Sequence, residues 1–523
     1  MNETPSTTAA FAPGGSLARL LAARAAERPD FPFLWVEDDG PWTFGQLAGA
    51  AVRLRDELSG AGVGAGDRVL VRLGNDERFL PGVAAAWALR AVPIAMHPSA
   101  PEEEVERVVR SMAVLGVVAS DDDDAVDDVE VPVVRVPPLS RGEPAGDGEP
   151  FAAPGEVDDD APALVLLTSG STGTPKGVVI SHGNAWANVR ATTSAFRSDT
   201  RPGALPADSK PPNIVANPLS HTGGIVRLLF GMYVGRGVLL LRKFNAAAVK
   251  RAIDRHGIDN LTINPAMIRI LVEDLPPAAD LGAVRYVSSG TAPLPASLRE
   301  RFEERFGVPI LQAYGQTEAF GAVTIESAKD VLSGRRRPGS VGRALPGVEL
   351  RIVGADGVDV AGDAEGEVWV RTASSTAGYL GDEASPVDVE GWLRTGDLGR
   401  LDADGYLYIT GRKKSIIICG GFNIVPEELE AVLMSDDAVS DVAVVSVDDE
   451  RLGEIPVALV EARPPSADGD GIMDRVRGRL TPYKRPRRLF VVPALPRVPA
   501  GKVDRAAAAR MATALCATAA TIV

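Results

Sequence analysis

Cysteine is scarce in this chain: among 523 residues only Cys419 and Cys516 carry a thiol. Two thiols so far apart build no disulfide framework, and a reducing cytoplasm is the compartment that suits them. The four histidines are scattered, so with two distant cysteines they offer no zinc spacing, and no structural metal is expected. Long apolar runs are missing too. The most apolar early stretch, Gly82 to Met96, is interrupted by Arg90 and Pro93, and no segment reads as a membrane span. The start, Met1-Asn2-Glu3-Thr4-Pro5, lacks the basic region of a secretory signal. Positive charge is in deficit: 55 Lys and Arg against 70 Asp and Glu leave a net charge of −15. That balance argues against a chain devoted to nucleic acid or an anionic membrane. It leaves nucleotide binding open, because a nucleotide needs only a local electropositive cleft.

What is present is the composition of a globular protein, 45% apolar and 24% charged. The length suggests about two to four folding units. Residues 1–13 read as a small, polar leader. Helical patterns cover Ser16–Glu27 and Phe44–Leu58, and short apolar runs at Arg68–Arg72, Val92–Met96 and Val114–Ala119 alternate with further helical patterns. This alternation predicts sheets flanked by helices, an α/β chain. The acidic run Asp121–Asp124 reads as a solvated loop. Further strands are expected at Ala163–Leu167, Val284–Ser288, Pro309–Gln312, Glu349–Val353 and Glu367–Arg371. After Gly411-Arg412-Lys413-Lys414 the pattern restarts: a helix opening near Pro426, strands Asp441–Val447 and Ile455–Glu461, and a helix Ile472–Leu480. These make a second, α+β unit, so the expected domains are residues 1–413 and 414–523.

One loop stands out: Thr168-Ser169-Gly170-Ser171-Thr172-Gly173-Thr174-Pro175-Lys176-Gly177, directly after a strand. Its glycines let backbone N–H groups approach phosphate oxygens, its hydroxyls add donors, and Lys176 adds charge. A Walker A loop would need glycine at 175 and a hydroxyl at 177; proline and glycine stand there instead. Four further motifs follow in order: Tyr314-Gly315-Gln316-Thr317-Glu318, then Gly391 to Asp397, then Gly405-Tyr406 with Gly411 to Lys414 and Gly420 to Asn423, then Pro499 to Arg505. From about Trp42 onward the chain resembles the adenylate-forming superfamily: acyl-CoA synthetases, luciferases and the adenylation domains of peptide synthetases. The resemblance implies a large N-terminal domain of flanked β-sheets plus a β-barrel-like subdomain, and a small, mobile C-terminal domain. It also implies an enzyme that activates a carboxylic acid with ATP, releases pyrophosphate and transfers the acyl group to a thiol.

Each motif then acquires an expected role. Thr168, Ser169, Gly170, Ser171, Thr172, Gly173 and Lys176 would cradle the departing phosphates, Thr317 would bond the α-phosphate and Glu318 would hold Mg²⁺. Glu318 could otherwise be an acidic residue at a helix start. Asp397 and Arg412 would grip the ribose. Gly290-Thr291-Ala292-Pro293 would flank the adenine, with Tyr314 and Gly315 against it; core packing with a bonded hydroxyl is the ordinary alternative for Tyr314. Lys502 would bridge the substrate carboxylate and the α-phosphate, favouring charge that develops in the transition state. Lys414 would be the hinge about which the small domain turns, exchanging Lys502 for a thiol channel lined by Gly420 and Gly421. Cys419 reads as a buried, inert thiol among apolar neighbours.

His221, Gly223, Gly224 and Gly321 fall at the expected acyl pocket, the glycines leaving room for a bulky apolar, aryl, alicyclic or fatty acid. A locally bonded histidine at a helix start is the lesser alternative for His221, and Arg227 reads as a surface residue. Coenzyme A is the expected acceptor, because the interval from Glu318 to Asp397 is compact. A separate carrier protein and a non-catalytic nucleotide binder are the competing readings. A homodimer is left open, and no nucleic-acid partner is expected.

Overall fold

The computed structural model describes residues 14–140, 150–168, 176–198, 210–360, 362–381, 385–419, 422–449, 451–463, 469–480, 484–499 and 501–520. Elements form where hydrophobic periodicity puts them. Leu47, Ala51, Leu54 and Leu58 recur at helical spacing and make the buried stripe of helix Phe44–Gly60. Thr43 opens that helix reciprocally: its Oγ1 accepts from the Gln46 N–H while the Gln46 side chain accepts from its own N–H.

The largest sheet has seven strands, in the order Gly378–Tyr379, Lys176–Ser181, Pro162–Thr168, Val92–Ala95, Arg68–Arg72, Val114–Ser120, Val133–Val136. From Pro162–Thr168 onward neighbours are parallel, and both faces are covered. Val69 and Val71 face a core shared with helices Phe44–Gly60 and Phe79–Ala88, while Leu70 faces helix Glu102–Ser111. Two-residue alternation thus builds a three-layer body.

A second sheet runs Asn260–Thr262, Tyr286–Ser289 and Ile310–Gln316 in parallel, then Gly321–Ile325 and Arg343–Ala344 antiparallel. A bridge from Arg343 to Tyr406 joins its far edge to an antiparallel sheet of Glu349–Val353, Gly366–Arg371, Trp392–Leu401 and Leu407–Arg412. This antiparallel region stands where the barrel-like subdomain is expected. A separate sheet, with Gly453–Ala462 at its centre and Val439–Asp449 paired along it at one edge, carries helices Pro426–Leu433 and Arg505–Ala520. Among the described residues no helix is long and apolar enough to cross a membrane.

Three details differ from expectation. The strand expected to stop at Gln312 continues to Gln316, because Gly321–Ile325 pairs with its extension. The helix expected over Ile472–Leu480 is Gly469–Val476 followed by a 3₁₀ turn, Arg477–Arg479. The acidic run is only partly solvated: Asp123 accepts from Arg72 Nε at 2.6 Å, with both side chains almost wholly buried. A buried guanidinium needs such a counter-charge.

His182 offers a test of the fold. Its Nδ1 accepts from the Leu17 N–H at 3.1 Å, and burial lowers its pKa to about 4 against the opposing pull of Asp159. Between pH 6.5 and about 4 the unfolded chain therefore binds the extra proton, so stability falls with pH in that window. This one site should cost about 2 kcal/mol between pH 7 and pH 5. Urea midpoints at the two pH values should show His182→Asn, whose Oδ1 can replace the acceptor, to be less pH-sensitive than wild type by that amount. Equal sensitivity would refute the assignment.

Candidate active site

Several motif segments converge at the carboxyl ends of the second sheet. Strand Tyr286–Ser289 leads into Gly290-Thr291-Ala292-Pro293, and its neighbour Ile310–Gln316 leads into the 3₁₀ turn Thr317–Ala319. Ligands of open α/β sheets gather at such ends. A Cβ on Gly315 would sit only 2.0 Å from the Gly321 carbonyl, so glycine is required there, and one on Gly290 would be a tight 3.1 Å from the Ala313 carbonyl. Thr291 and Phe320 hold φ values of 71° and 50°. Non-glycine residues stay there only where their surroundings over-determine them, commonly at binding sites. For Phe320 those surroundings are its N–H bond to the Thr317 carbonyl and the Asn188 amide that donates to its own carbonyl at 2.7 Å.

Asp397 and Arg412 are register partners in adjacent antiparallel strands. Buried Asp397 accepts from Arg412 Nε at 2.5 Å on one oxygen and from the Tyr314 hydroxyl at 2.6 Å on the other. Burial, then the Asp397 charge, push the Tyr314 phenol well above its usual pKa, so it remains a donor. Burial opposes the charge on Arg412, but Asp397 outweighs it and raises the pKa. The bonded alternative for Tyr314 is therefore realised in its hydroxyl.

Glu318 lies in a three-residue 3₁₀ turn and not at an α-helix start. Its Oε1 accepts from the Tyr379 hydroxyl at 3.0 Å, and its carbonyl accepts from the Thr376 N–H at 2.7 Å. Lys176 Nζ stands 4.7 Å from the Tyr379 ring centroid, so one tyrosine positions both a cation and an anion. The Thr222 hydroxyl donates to Thr317 Oγ1 at 3.2 Å. Asn188, Thr222, Thr376 and Tyr379 were not singled out from the sequence. All four are brought in by tertiary packing.

Lys502 reaches this crevice from the far end of the chain. Its carbonyl accepts from the Val498 N–H at 2.9 Å, and an isolated bridge joins Arg497 to Val503 across the turn. Gly501 is at φ 79°, and a Cβ built on it would lie 3.6 Å from the side chains of Asn264 and Ala266. Burial first, then Arg412, lower the Lys502 pKa, while Glu318 and Asp397 raise it. These three charged residues are thus its electrostatic surroundings. His221 feels the same lysine: burial, His97 and Lys502 together lower its pKa to about 4. It opens helix Thr222–Val234 without a side-chain cap, and its buried Nε2 has no partner among the described residues, so the locally bonded alternative fails.

Ser289 Oγ and Gln316 Nε2 are also buried without a described partner. Orphaned polar atoms around one crevice are what a polar ligand would satisfy. For a divalent cation, the Thr317 hydroxyl and Glu318 carboxylate are hard oxygen donors of the type Mg²⁺ takes. The rest of the phosphate loop is fixed at its ends: Thr168 and Lys176 pair in register, and Thr168 Oγ1 donates to the Lys176 carbonyl at 3.4 Å. Ser169, Gly170, Ser171, Thr172, Gly173, Gly420 and Gly421 lie outside the described residues, and Lys414 is described only as backbone of the turn Lys413–Ser415. Cys419 is buried in the C-terminal core.

Two expectations about the acyl pocket change. A Cβ on Gly224 would meet the Pro218 carbonyl at 2.2 Å, on Gly321 the Asn188 amide at 2.8 Å, and on Gly223 the same group of Asn217 at 3.2 Å. These glycines permit close packing and do not open space. Arg227 is half-buried rather than exposed: burial lowers its pKa to about 10, with Tyr286 opposing and Arg236 adding to the shift.

Residues 21–380 match the AMP-binding enzyme family, and residues 428–502 match the AMP-binding enzyme C-terminal domain. The chain is 35% identical to a sulfoacetate–CoA ligase of Cupriavidus necator, over 94% of this chain and 96% of that one. It is 31% identical to a 2-succinylbenzoate–CoA ligase of Bacillus cereus, over 93% and 96%. Among solved structures, the o-succinylbenzoate CoA synthetase of Bacillus subtilis with its acyl-adenylate intermediate superposes with a TM-score of 0.79 at 27% identity, covering 93% and 97%. ATP-bound MatB from Rhodopseudomonas palustris gives 0.82 at 26%, covering 95% and 99%. With the large flanked-sheet part, the small C-terminal part and the convergent motifs, these matches place the chain in the AMP-binding enzyme family of the adenylate-forming superfamily.

Proposed function

We propose that the protein is an ATP-dependent acid–CoA ligase. It joins a carboxylic acid to AMP, releases pyrophosphate, and passes the acyl group to the thiol of coenzyme A. The observation that carries this reading is the meeting of Lys502 with Glu318, Asp397 and Arg412, residues separated by up to 184 positions in sequence. Attack of a carboxylate on the α-phosphate brings two anions together, so the site must supply positive charge and alignment. Lys502 supplies that charge where the two anions meet, favouring charge that develops in the transition state. Asp397 and Arg412 hold the ribose, Gly290 to Pro293 border the adenine beside Tyr314, and Thr317 bonds the α-phosphate. Lys176 meets the departing phosphates. Mg²⁺ at Glu318 would neutralise phosphate charge. Neutral His221 borders the acid.

The second half-reaction uses the same crevice after the C-terminal domain, residues 414–523, turns about Lys414 and withdraws Lys502. Both cysteines are free thiols, which suits a cytoplasmic enzyme. The test is a panel of aryl, alicyclic, fatty and dicarboxylic acids with ATP and Mg²⁺, read as pyrophosphate release and as acyl-CoA. Pyrophosphate release together with acyl-CoA is expected; pyrophosphate without acyl-CoA for every acid would exclude coenzyme A as acceptor.

A further inference from the structure

Helix Pro265–Asp274 has two faces. Met267, Ile268, Leu271 and Val272 are buried in the core beside the second sheet. On the opposite side Ala266, Arg269 and Glu273 follow at helical spacing and meet the C-terminal part of the chain. At the first turn, the side chains of Ala266 and the N-cap Asn264 lie 3.6 Å from the Cβ position of Gly501, the residue before Lys502. One turn on, Arg269 Nη1 stands 3.1 Å from an oxygen of Asp441, on strand Val439–Asp449. These two side chains are only 14% and 16% exposed. At the next turn Glu273 is a charged neighbour of Arg463, which follows strand Gly453–Ala462.

Asp441 is also tied to the turn that carries Lys502. The oxygen that faces Arg269 accepts from Arg497 Nη2 at 2.5 Å, and the same nitrogen donates to Glu461 at 3.2 Å. Arg497 Nη1 donates to the Gly501 carbonyl at 3.2 Å. Asp441 and Glu461 are register partners on adjacent strands, where two carboxylates repel. Arg497 spans both, and Arg269 brings the second positive charge that balances them. One carboxylate oxygen therefore joins a helix of the large part to the arginine that braces the Lys502 turn in the small one. Turning the small part away would separate Arg269 from Asp441 and leave two carboxylates to one guanidinium. A partly enclosed ion pair is screened less than an exposed one, so it favours the orientation in which it forms.

We propose that Arg269 and Asp441 are positioning residues for adenylation: their ion pair docks the C-terminal domain on helix Pro265–Asp274 in the orientation that presents Lys502, and it parts when that domain turns for thiol transfer. The inference rests on the acid-ligase reading and deepens it. Neither residue touches the reacting atoms; both act through Arg497 and the turn it braces. The pair works as a latch between the two half-reactions and should weigh on the first alone.

The test measures both half-reactions on one preparation: pyrophosphate release with an acid that wild type accepts, and thioester formation from the acyl-adenylate of that acid with coenzyme A. Arg269→Met should lower adenylation by about 5- to 30-fold and leave thioester formation within about twofold of wild type. Arg269→Lys should keep part of the loss from appearing. Asp441→Asn should lose at least as much as Arg269→Met, because it also loosens Arg497, and adding Arg269→Met to it should cost little more. The ratio of the two half-reactions does not depend on how much of a variant has folded. An unchanged ratio in Arg269→Met, or losses that multiply in full in the double variant, would overturn the proposal. If wild type fails either half-reaction with every acid, the acid-ligase reading itself falls and takes this one with it.

Discussion

Lys502→Ala will lower the rate of adenylate formation by roughly 10²- to 10³-fold, while thioester formation from a supplied acyl-adenylate and coenzyme A will change little. The size follows from placement. Lys502 has Glu318, Asp397 and Arg412 as its charged neighbours. Removing it takes away the cation next to two approaching anions and leaves the remaining contacts in place. The selectivity follows from the proposed domain turn: the loop held by Gly501 against Asn264 and Ala266 would be elsewhere during thiol attack. Because burial and Arg412 lower the Lys502 pKa, the alkaline loss of adenylation should begin below the range of an ordinary lysine. Pyrophosphate exchange and single-turnover thioester formation, measured separately, decide the matter. An equal loss in both half-reactions would end the division of labour.

Asp397→Ala should be nearly as severe for ATP, lowering kcat/KM on the order of 10²-fold or more, since a carboxylate bonding two ribose hydroxyls contributes two charge-assisted bonds. The substitution also deprives Tyr314 and Arg412 of their shared acceptor, so some stability will be lost. Nucleotide analogues separate the two effects. With 2′,3′-dideoxy-ATP the wild type already lacks the ribose bonds, and the variant should lose far less relative to it than with ATP. A deficit of the same factor for both nucleotides would show that Asp397 acts only through the fold.

The tyrosine that links these residues shows why part of the site was legible and part was not. Asp397 and Arg412 belong to contiguous motifs whose residue types announce their chemistry. Tyr314 was readable as an aromatic near a nucleotide, but its bond to Asp397 joins strands 83 residues apart. Tyr379 is more telling. Its hydroxyl bonds Glu318 and its ring faces Lys176, yet nothing local separates it from other tyrosines. Its place comes from pairing of Gly378–Tyr379 with the strand Lys176–Ser181. The pocket glycines erred in the other direction. Glycine was read as empty space, but a missing Cβ says nothing about what has moved in to fill the position, and at Gly224 it is backbone.

By itself the sequence determined the periodic elements, because alternation in strands and the helical stripe are local properties of the chain. It also suggested the chemistry proposed for the Thr168–Gly177 loop, the Thr-Glu turn and Lys502, because that reading starts from residue types. Tertiary structure alone decided which of these meet. Strand Ile310–Gln316 gains its last four residues from a partner downstream, Phe320 is held in its left-handed conformation by Asn188, and Arg227, read as a surface residue, is half-buried. The reason is physical. Burial, desolvation and strand pairing depend on groups distant in sequence, and those terms set whether a charge is hydrated and idle or dry and available to a ligand.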